Sequence, residues 1–176
     1  GGSVTIESGA GSALGYSGAI KVSSSAGVGT VSSGDVQVGS GATLSGDSGI
    51  VTVSSGSAAT GAVGDLRVIG GSASRSTGGN VMIEGGISTG GQQGGSLRLA
   101  SGAGEASSSG SVSLSSGDMA SSGTSGDVAV QSGKASDSTG AVLLSSGDSL
   151  AMRAGDVTVG TGAGKLEGAS IHIVPG

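Results

Sequence analysis

Aliphatic residues recur in pairs along the whole chain, with one residue between the two members of each pair. Each pair lies in a motif of the form Gly-x-aliphatic-x-aliphatic-x-Ser-Gly. The first member stands at twelve positions, 14 to 16 residues apart: Val4, Ile20, Val36, Val51, Leu66, Val81, Leu97, Val112, Val128, Val142, Val157 and Ile171. The second member follows two residues later: Ile6, Val22, Val38, Val53, Val68, Ile83, Leu99, Leu114, Val130, Leu144, Val159 and Ile173. We number these copies motif 1 to motif 12. Alternation with period two indicates a half-buried strand.

Within each predicted strand both aliphatic residues point inward and the central residue points outward. The central positions hold Thr5, Lys21, Gln37, Thr52, Arg67, Met82, Arg98, Ser113, Ala129, Leu143, Thr158 and His172. A leading glycine stands two residues before the first aliphatic residue in every motif except motif 12, where Ala169 replaces it. A trailing glycine stands five residues after it, with Ser25 as the exception. Glycine at fixed corners predicts positive φ or close backbone approach. Asp35, Asp65, Asp127 and Asp156 follow leading glycines, where turn formation is the expected role.

Direct repetition of one motif predicts parallel stacking of equivalent turns. The expected fold is therefore all-β: a parallel β-solenoid of about twelve turns of about 15 residues with a thin aliphatic core, formed as one repeat domain over residues 1–176. A weaker second strand is expected in the polar stretch between motifs. Single apolar residues in that stretch would form a second inward face: Leu14, Val28, Leu44, Ala59, Ile87, Met119, Leu150 and Leu166.

Composition narrows the choice of protein class. The chain has 41 glycines, no Cys, Trp or Phe, and Tyr16 as its one aromatic residue, so only small side chains are available for a core. Net charge is −5 and the charges are spread singly, which leaves no basic patch for nucleic acid. No apolar run approaches the length of a membrane span. Glycine does not recur every third residue, so collagen is excluded.

No group of residues predicts an active site, a cofactor site or a metal site. The one histidine, His172, is expected to be a surface residue, and no serine has an evident base partner. The glycine-rich stretches lack the Lys-Ser/Thr that a phosphate-binding loop requires. Stacked aspartates could bind Ca²⁺, but the Gly-Gly-x-Gly-x-Asp pattern of such repeats is missing. We therefore expect no enzyme and no cofactor.

Two families resemble this chain over its whole length. The run Ser125-Gly126-Asp127-Val128-Ala129-Val130-Gln131-Ser132-Gly133 is similar to the Ser/Gly-rich repeats of large algal and stramenopile surface proteins. The run Gly155-Asp156-Val157-Thr158-Val159-Gly160-Thr161-Gly162 is similar to a strand of the head β-roll of trimeric autotransporter adhesins. The chain departs from the adhesin head in its second half-turn, which is less regular. Both resemblances imply an extracellular, cell-surface location, and neither supplies a binding site.

The function expected from these features is an extracellular structural rod that forms part of a cell-surface filament or appendage. Its partners would be other copies or neighbouring filament segments, with surface glycans as a further possibility. A chain that starts and stops within motifs, without an initiator Met or signal peptide, suggests a segment of a longer array. A cell-surface adhesion module is one alternative. Ice binding is another, although three threonines among the central residues are few for a flat, regular array.

Overall fold

The structure, a computed structural model, describes residues 1–12 and 15–175. Neither a helix nor a β-strand occurs within those residues. In the described parts of consecutive motifs there is no ladder of backbone hydrogen bonds, and the bonds found between them are single ones that close the intervening segments. The prediction of an all-β parallel solenoid is therefore wrong, and so is the prediction of a strand at each aliphatic pair.

The described residues also lack a core. None of their side chains is buried, whether apolar or polar. The accessible surface is 17468 Å², whereas a compact protein of this mass exposes about 7300 Å² and its unfolded chain about 23000 Å². The chain thus keeps most of the surface of an unfolded polypeptide. The thin aliphatic core expected from the sequence does not form.

Bends recur at regular intervals along the irregular backbone. We call the segment from the trailing position of one motif to the leading position of the next a linker, numbered 1 to 11. The described part of every linker contains a bend or turn, at residues 15, 29–30, 44–46, 59–61, 74–76, 90–92, 105–107, 121–123, 136–137, 150–152 and 165–166. The period of the sequence therefore appears in the backbone as regularly spaced changes of direction.

The Cα positions cluster into two units, Gly1–Ile83 and Glu84–Gly176. The boundary falls inside motif 6, directly after its second aliphatic residue. Each unit contains the same arrangement of motifs joined by bent linkers. The single repeat domain expected over residues 1–176 stays a prediction, because the boundary coincides with no change in the repeat.

The linkers explain why the solenoid is not formed. A solenoid needs a second inward face opposite the aliphatic pairs. Three of the apolar residues expected to supply it are instead among the most exposed in the chain, with Leu44 at 106%, Leu150 at 104% and Leu166 at 95%, and even Met119 is 52% exposed. The three leucines lie at bends, where their side chains enter solvent. Leu14 belongs to the same expected face and lies outside the described residues. Without an opposing face the aliphatic pairs of the described residues are covered only in part.

Candidate interaction surface

The aliphatic pairs form the most regular apolar feature of the surface. In motifs 2 to 12 the first member is always less exposed than the second, and in motif 6 Val81 is 50% exposed and Ile83 61%. Central residues are more exposed than either neighbour where they are apolar, as Met82 at 75% shows. Leu143 repeats this order in motif 10. The alternation seen in the sequence thus survives as graded exposure, without a strand.

In motif 6 the preceding motif supplies part of the cover of the first aliphatic residue. In motif 1, which has no preceding motif in the sequence, Val4 is 90% exposed. In motif 6, Val81 lies over Gly70 of motif 5, since a Cβ built on Gly70 would stand 3.6 Å from Val81 Cγ2. Gly70, Ser8 and Ser116 occupy the same motif position and are half-buried. Motif 5 therefore shields one side chain of motif 6.

Four linkers are closed by a backbone hydrogen bond between their end glycines. The N–H of Gly79 donates to the carbonyl of Gly71 at 2.8 Å, and that of Gly95 to Gly86 at 2.8 Å. Linkers 1 and 7 close in the same way, at 2.9 Å from Gly18 to Gly9 and at 3.0 Å from Gly110 to Gly102. Gly176, the last trailing glycine, lies outside the described residues. These bonds hold consecutive motifs beside each other at their near ends.

Small residues make this approach possible. The residue before the trailing glycine is Ser, Gly, Thr or Pro in all twelve motifs. A Cβ on Gly70 would collide with the carbonyl oxygen of Gly79, and a Cβ on Gly85 with that of Gly95. In other motifs this position holds serine. A Cβ built on the leading glycine Gly110 would stand 3.4 Å from the Cβ of Ser101 in the preceding motif. Closure thus brings the leading glycine against the small residue of the preceding motif, which is glycine or serine in all four closed linkers.

The corner glycines do not have the conformation that the sequence predicts. Positive φ occurs at Gly29, Gly91 and Gly123, which lie inside linkers 2, 6 and 8. Gly126 was expected to need positive φ or a tight approach, but its φ is not positive and a Cβ there would meet Ser116 Cβ at an ordinary 3.9 Å. That expectation is wrong for Gly126. Close approach, the other predicted reason for a corner glycine, does hold for Gly79 and Gly95.

Sequence reasoning missed a second class of constrained glycines. In the linkers that begin with Gly-Ala-Gly, the second glycine passes close to the far side of the bend. A Cβ on Gly104 would stand 2.6 Å from the Ser107 carbonyl oxygen and 2.7 Å from that of Ser108. Gly102, two residues earlier, is open. The repeated Gly-x-Gly spacing could have identified these glycines, but a chain this rich in glycine contains that spacing by composition alone.

Polar side chains support the bends locally. The Gly46 N–H donates to Thr43 Oγ1 at 3.1 Å, and the Met152 N–H donates to Ser149 Oγ at 3.0 Å. The expected bonds from the backbone to Asp35, Asp65 and Asp127 are not among the hydrogen bonds of the described residues, so the turn-forming role assigned to them is unsupported.

One ion pair occurs in the described part of the chain. Arg153 Nη2 lies 2.7 Å from Asp156 Oδ1 and 2.9 Å from Oδ2, and both side chains are mostly exposed. Asp156 was expected to form a turn through its own backbone. Instead it ties the end of linker 10 to the start of motif 11. An exposed pair of this kind stabilises by at most about 1 kcal/mol.

Concave and metal-binding sites are missing from the part of the chain that the structure describes. Residues 1–12 and 15–175 contain no pocket and no group of three or more His, Cys, Asp or Glu side chains that could hold a metal ion. Within the same ranges no helix is long and apolar enough to cross a membrane. His172 is exposed, as predicted. The candidate surface is therefore the array of aliphatic pairs itself.

No protein-family model, curated protein or solved structure matches the chain.

Proposed function

We propose that this chain is a structural repeat segment of a cell-surface filament or appendage. The observation that carries the proposal is the coincidence of two periods: twelve copies of one motif, and a bend in each of the eleven linkers between them. Every copy presents its aliphatic pair at the surface. A repeat array offers extended, equivalent contact faces. Such an array suits a structural role in which many weak contacts act together.

The cell-surface location is supported by the resemblance to Ser/Gly-rich surface repeats. The composition is compatible with it, since a chain without Cys does not depend on the redox state of its compartment. Glycans remain possible partners because most of the described Ser and Thr side chains are exposed. Adhesion through the linkers and ice binding stay predictions from the sequence, and no contact in the structure favours either of them.

The experiment that tests this proposal is labelling of intact, unpermeabilised cells with an antibody raised against the chain, followed by removal of its gene. We expect label on the cell surface and thinner or missing appendages in the deletion strain. Label confined to permeabilised cells would contradict the location. Unchanged appendages together with loss of attachment to surfaces would replace the structural role by adhesion.

A further inference from the structure

Resting on the proposed structural role, we propose that a second copy of this chain covers the aliphatic pairs, side by side and displaced by one motif. The three observations behind this proposal are the period of the pairs, the small residues beside them and the distribution of charge within the motifs. Each of them restricts what kind of partner fits the surface.

The period of the aliphatic pairs selects a partner with the same period. The pairs recur every 14 to 16 residues, and a bend in each linker sets them apart. A partner that engages all of them must present apolar groups at matching intervals. A second copy of this chain meets that condition at every displacement by a whole motif. Because each contact is small, the sum over many motifs provides the affinity.

The small residues beside the pairs allow a second backbone to approach. Each motif has a Ser, Gly, Thr or Pro two residues after its second aliphatic residue. Within the chain this position already accepts the backbone of the next motif in seven linkers, as for Gly70 with Gly79 and Ser101 with Gly110. In linkers 4, 9 and 10 the leading glycines Gly64, Gly140 and Gly155 have open space around them. The same small residue in those motifs is therefore accessible to another copy.

Charge is segregated within the motif. The central position carries only basic or neutral residues, with Lys21, Arg67 and Arg98 as the strong bases. The positions two residues before and after it carry only acidic or neutral residues. Those acids are Asp35, Asp65, Asp127 and Asp156 before the centre, and Glu7 and Glu84 after it. Two motifs placed side by side would bring the centre of one next to these flanking positions of the other, whichever way the second runs.

This segregation favours displacement by one motif over exact alignment. Exact alignment places Lys21 beside Lys21 and Arg98 beside Arg98, and like charges directly opposite are destabilising. In a parallel pair displaced by one motif, Lys21 lies diagonal to Asp35 on one side and to Glu7 on the other, while Glu84 lies diagonal to Arg67 and Arg98. A displaced pair leaves a motif uncovered at each end, so that association continues to an open filament.

Charge reversal at the motif centres tests the pairing. Variant A of the full chain carries Lys21→Glu, Arg67→Glu and Arg98→Glu. Variant B carries Glu7→Lys, Asp35→Lys and Glu84→Lys. Association is followed by sedimentation velocity and light scattering over a concentration series at low salt. We expect the wild type to associate with rising concentration, and each variant alone to need about ten-fold higher concentration, because attractive diagonals have become repulsive.

An equimolar mixture of variants A and B should restore association to within about two-fold of the wild type, since every altered contact again joins opposite charges. The matched control changes the same numbers of charges in the linkers. The linker bases for the control are Arg75, Lys134 and Lys165, each changed to Glu. The linker acids are Asp47, Glu105 and Asp118, each changed to Lys. The control variants should associate nearly as the wild type does, and their mixture should gain little.

A second pair of variants tests the apolar part of the surface with isosteric changes. The motif set replaces four first aliphatic residues by threonine: Val36, Val51, Val128 and Val157. The control set replaces four valines outside the pairs by threonine: Val28, Val31, Val63 and Val174. We expect association to weaken by about ten-fold or more in the motif set and little in the control set, because only the pairs become covered.

Three results would overturn the self-pairing: a wild type that stays monomeric at every concentration, control variants that weaken as much as motif variants, or a mixture of A and B that fails to recover. The cell-surface role is tested separately by labelling of intact cells. Surface label without self-association would leave the proposed function in place and remove this inference. Self-association without surface label would do the reverse.

Discussion

Replacing Gly70 with alanine should open linker 5. A Cβ on Gly70 collides with the carbonyl oxygen of Gly79 in the tight geometry of linker 5, so the end of motif 5 and the start of motif 6 must move apart. Linkers 1 and 7 close in a looser geometry with Ser8 and Ser101 at this position, so the movement weakens the bond from the Gly79 N–H to the Gly71 carbonyl, which measures 2.8 Å, and its complete loss is the upper limit. The neighbouring Gly71 has nothing within 4 Å of its own Cβ position. Gly71→Ala is therefore the matched control, identical in composition and one residue away.

The size of the effect follows from the hydrogen bond that is lost. A net contribution of about 0.5–1.5 kcal/mol corresponds to about two-fold to about twelve-fold in the ratio of closed to open linker. Hydrogen exchange of the Gly79 amide, measured by NMR, reports this ratio directly. Gly70→Ala should raise the exchange rate by that factor, and Gly71→Ala should leave it unchanged. Equal exchange of the Gly79 amide in the two variants would refute the closure as described.

The remaining predictions concern the core, a bend and the ion pair. Val112→Asp should leave the thermal and urea response of the dilute chain unchanged and without a cooperative transition, because Val112 is already 65% exposed; a sharp calorimetric peak in the wild type would contradict this. Gly91→Ala should destabilise the bend of linker 6 by about 1 kcal/mol, because φ is +78° at Gly91, whereas Gly90→Ala should have no comparable effect. Chemical shifts and nuclear Overhauser contacts across the bend measure both effects. Arg153→Gln removes the ion pair with Asp156 and should lower the stability of the local structure in linker 10 by less than about 1 kcal/mol, with no effect at high salt. NMR coupling constants measured at two ionic strengths check this prediction.

The repeat and its period could be predicted from the sequence, whereas the fold could not. Aliphatic alternation placed the motifs correctly and left a trace in the exposures of Val81, Met82 and Ile83. Each linker contains a bend, but the short second strand expected there is absent from residues 1–12 and 15–175. Alternation states only that one face of a segment is apolar. Alternation does not predict whether a second apolar face exists to cover the first. Leu44, which was expected in that second face, is fully exposed at a bend.

The candidate surface was predictable in its residues but not in its role. The sequence assigns both members of each pair to an interior, and they are exposed. It assigns the corner glycines to positive φ or to close backbone approach, and only close approach is found, at Gly79 and Gly95. Whether a glycine is needed for positive φ or for close approach depends on which backbone segment lies opposite it, and the sequence motif does not specify that segment. The positive φ of Gly29 and Gly91 falls in the irregular linkers, where the sequence has no periodic signal.

The balance between linker and motif explains how one chain can be both orderly and uncovered. Glycine loses the most conformational freedom on ordering, so glycine-rich linkers resist being drawn into a regular cross-section. A single Gly-to-Gly hydrogen bond, as in linkers 5 and 6, holds the near ends of two motifs together. The chain therefore sets the order and spacing of its aliphatic pairs without covering them. A partner with the same spacing gains from that arrangement at the closed linkers, where two consecutive motifs already lie beside each other before it binds.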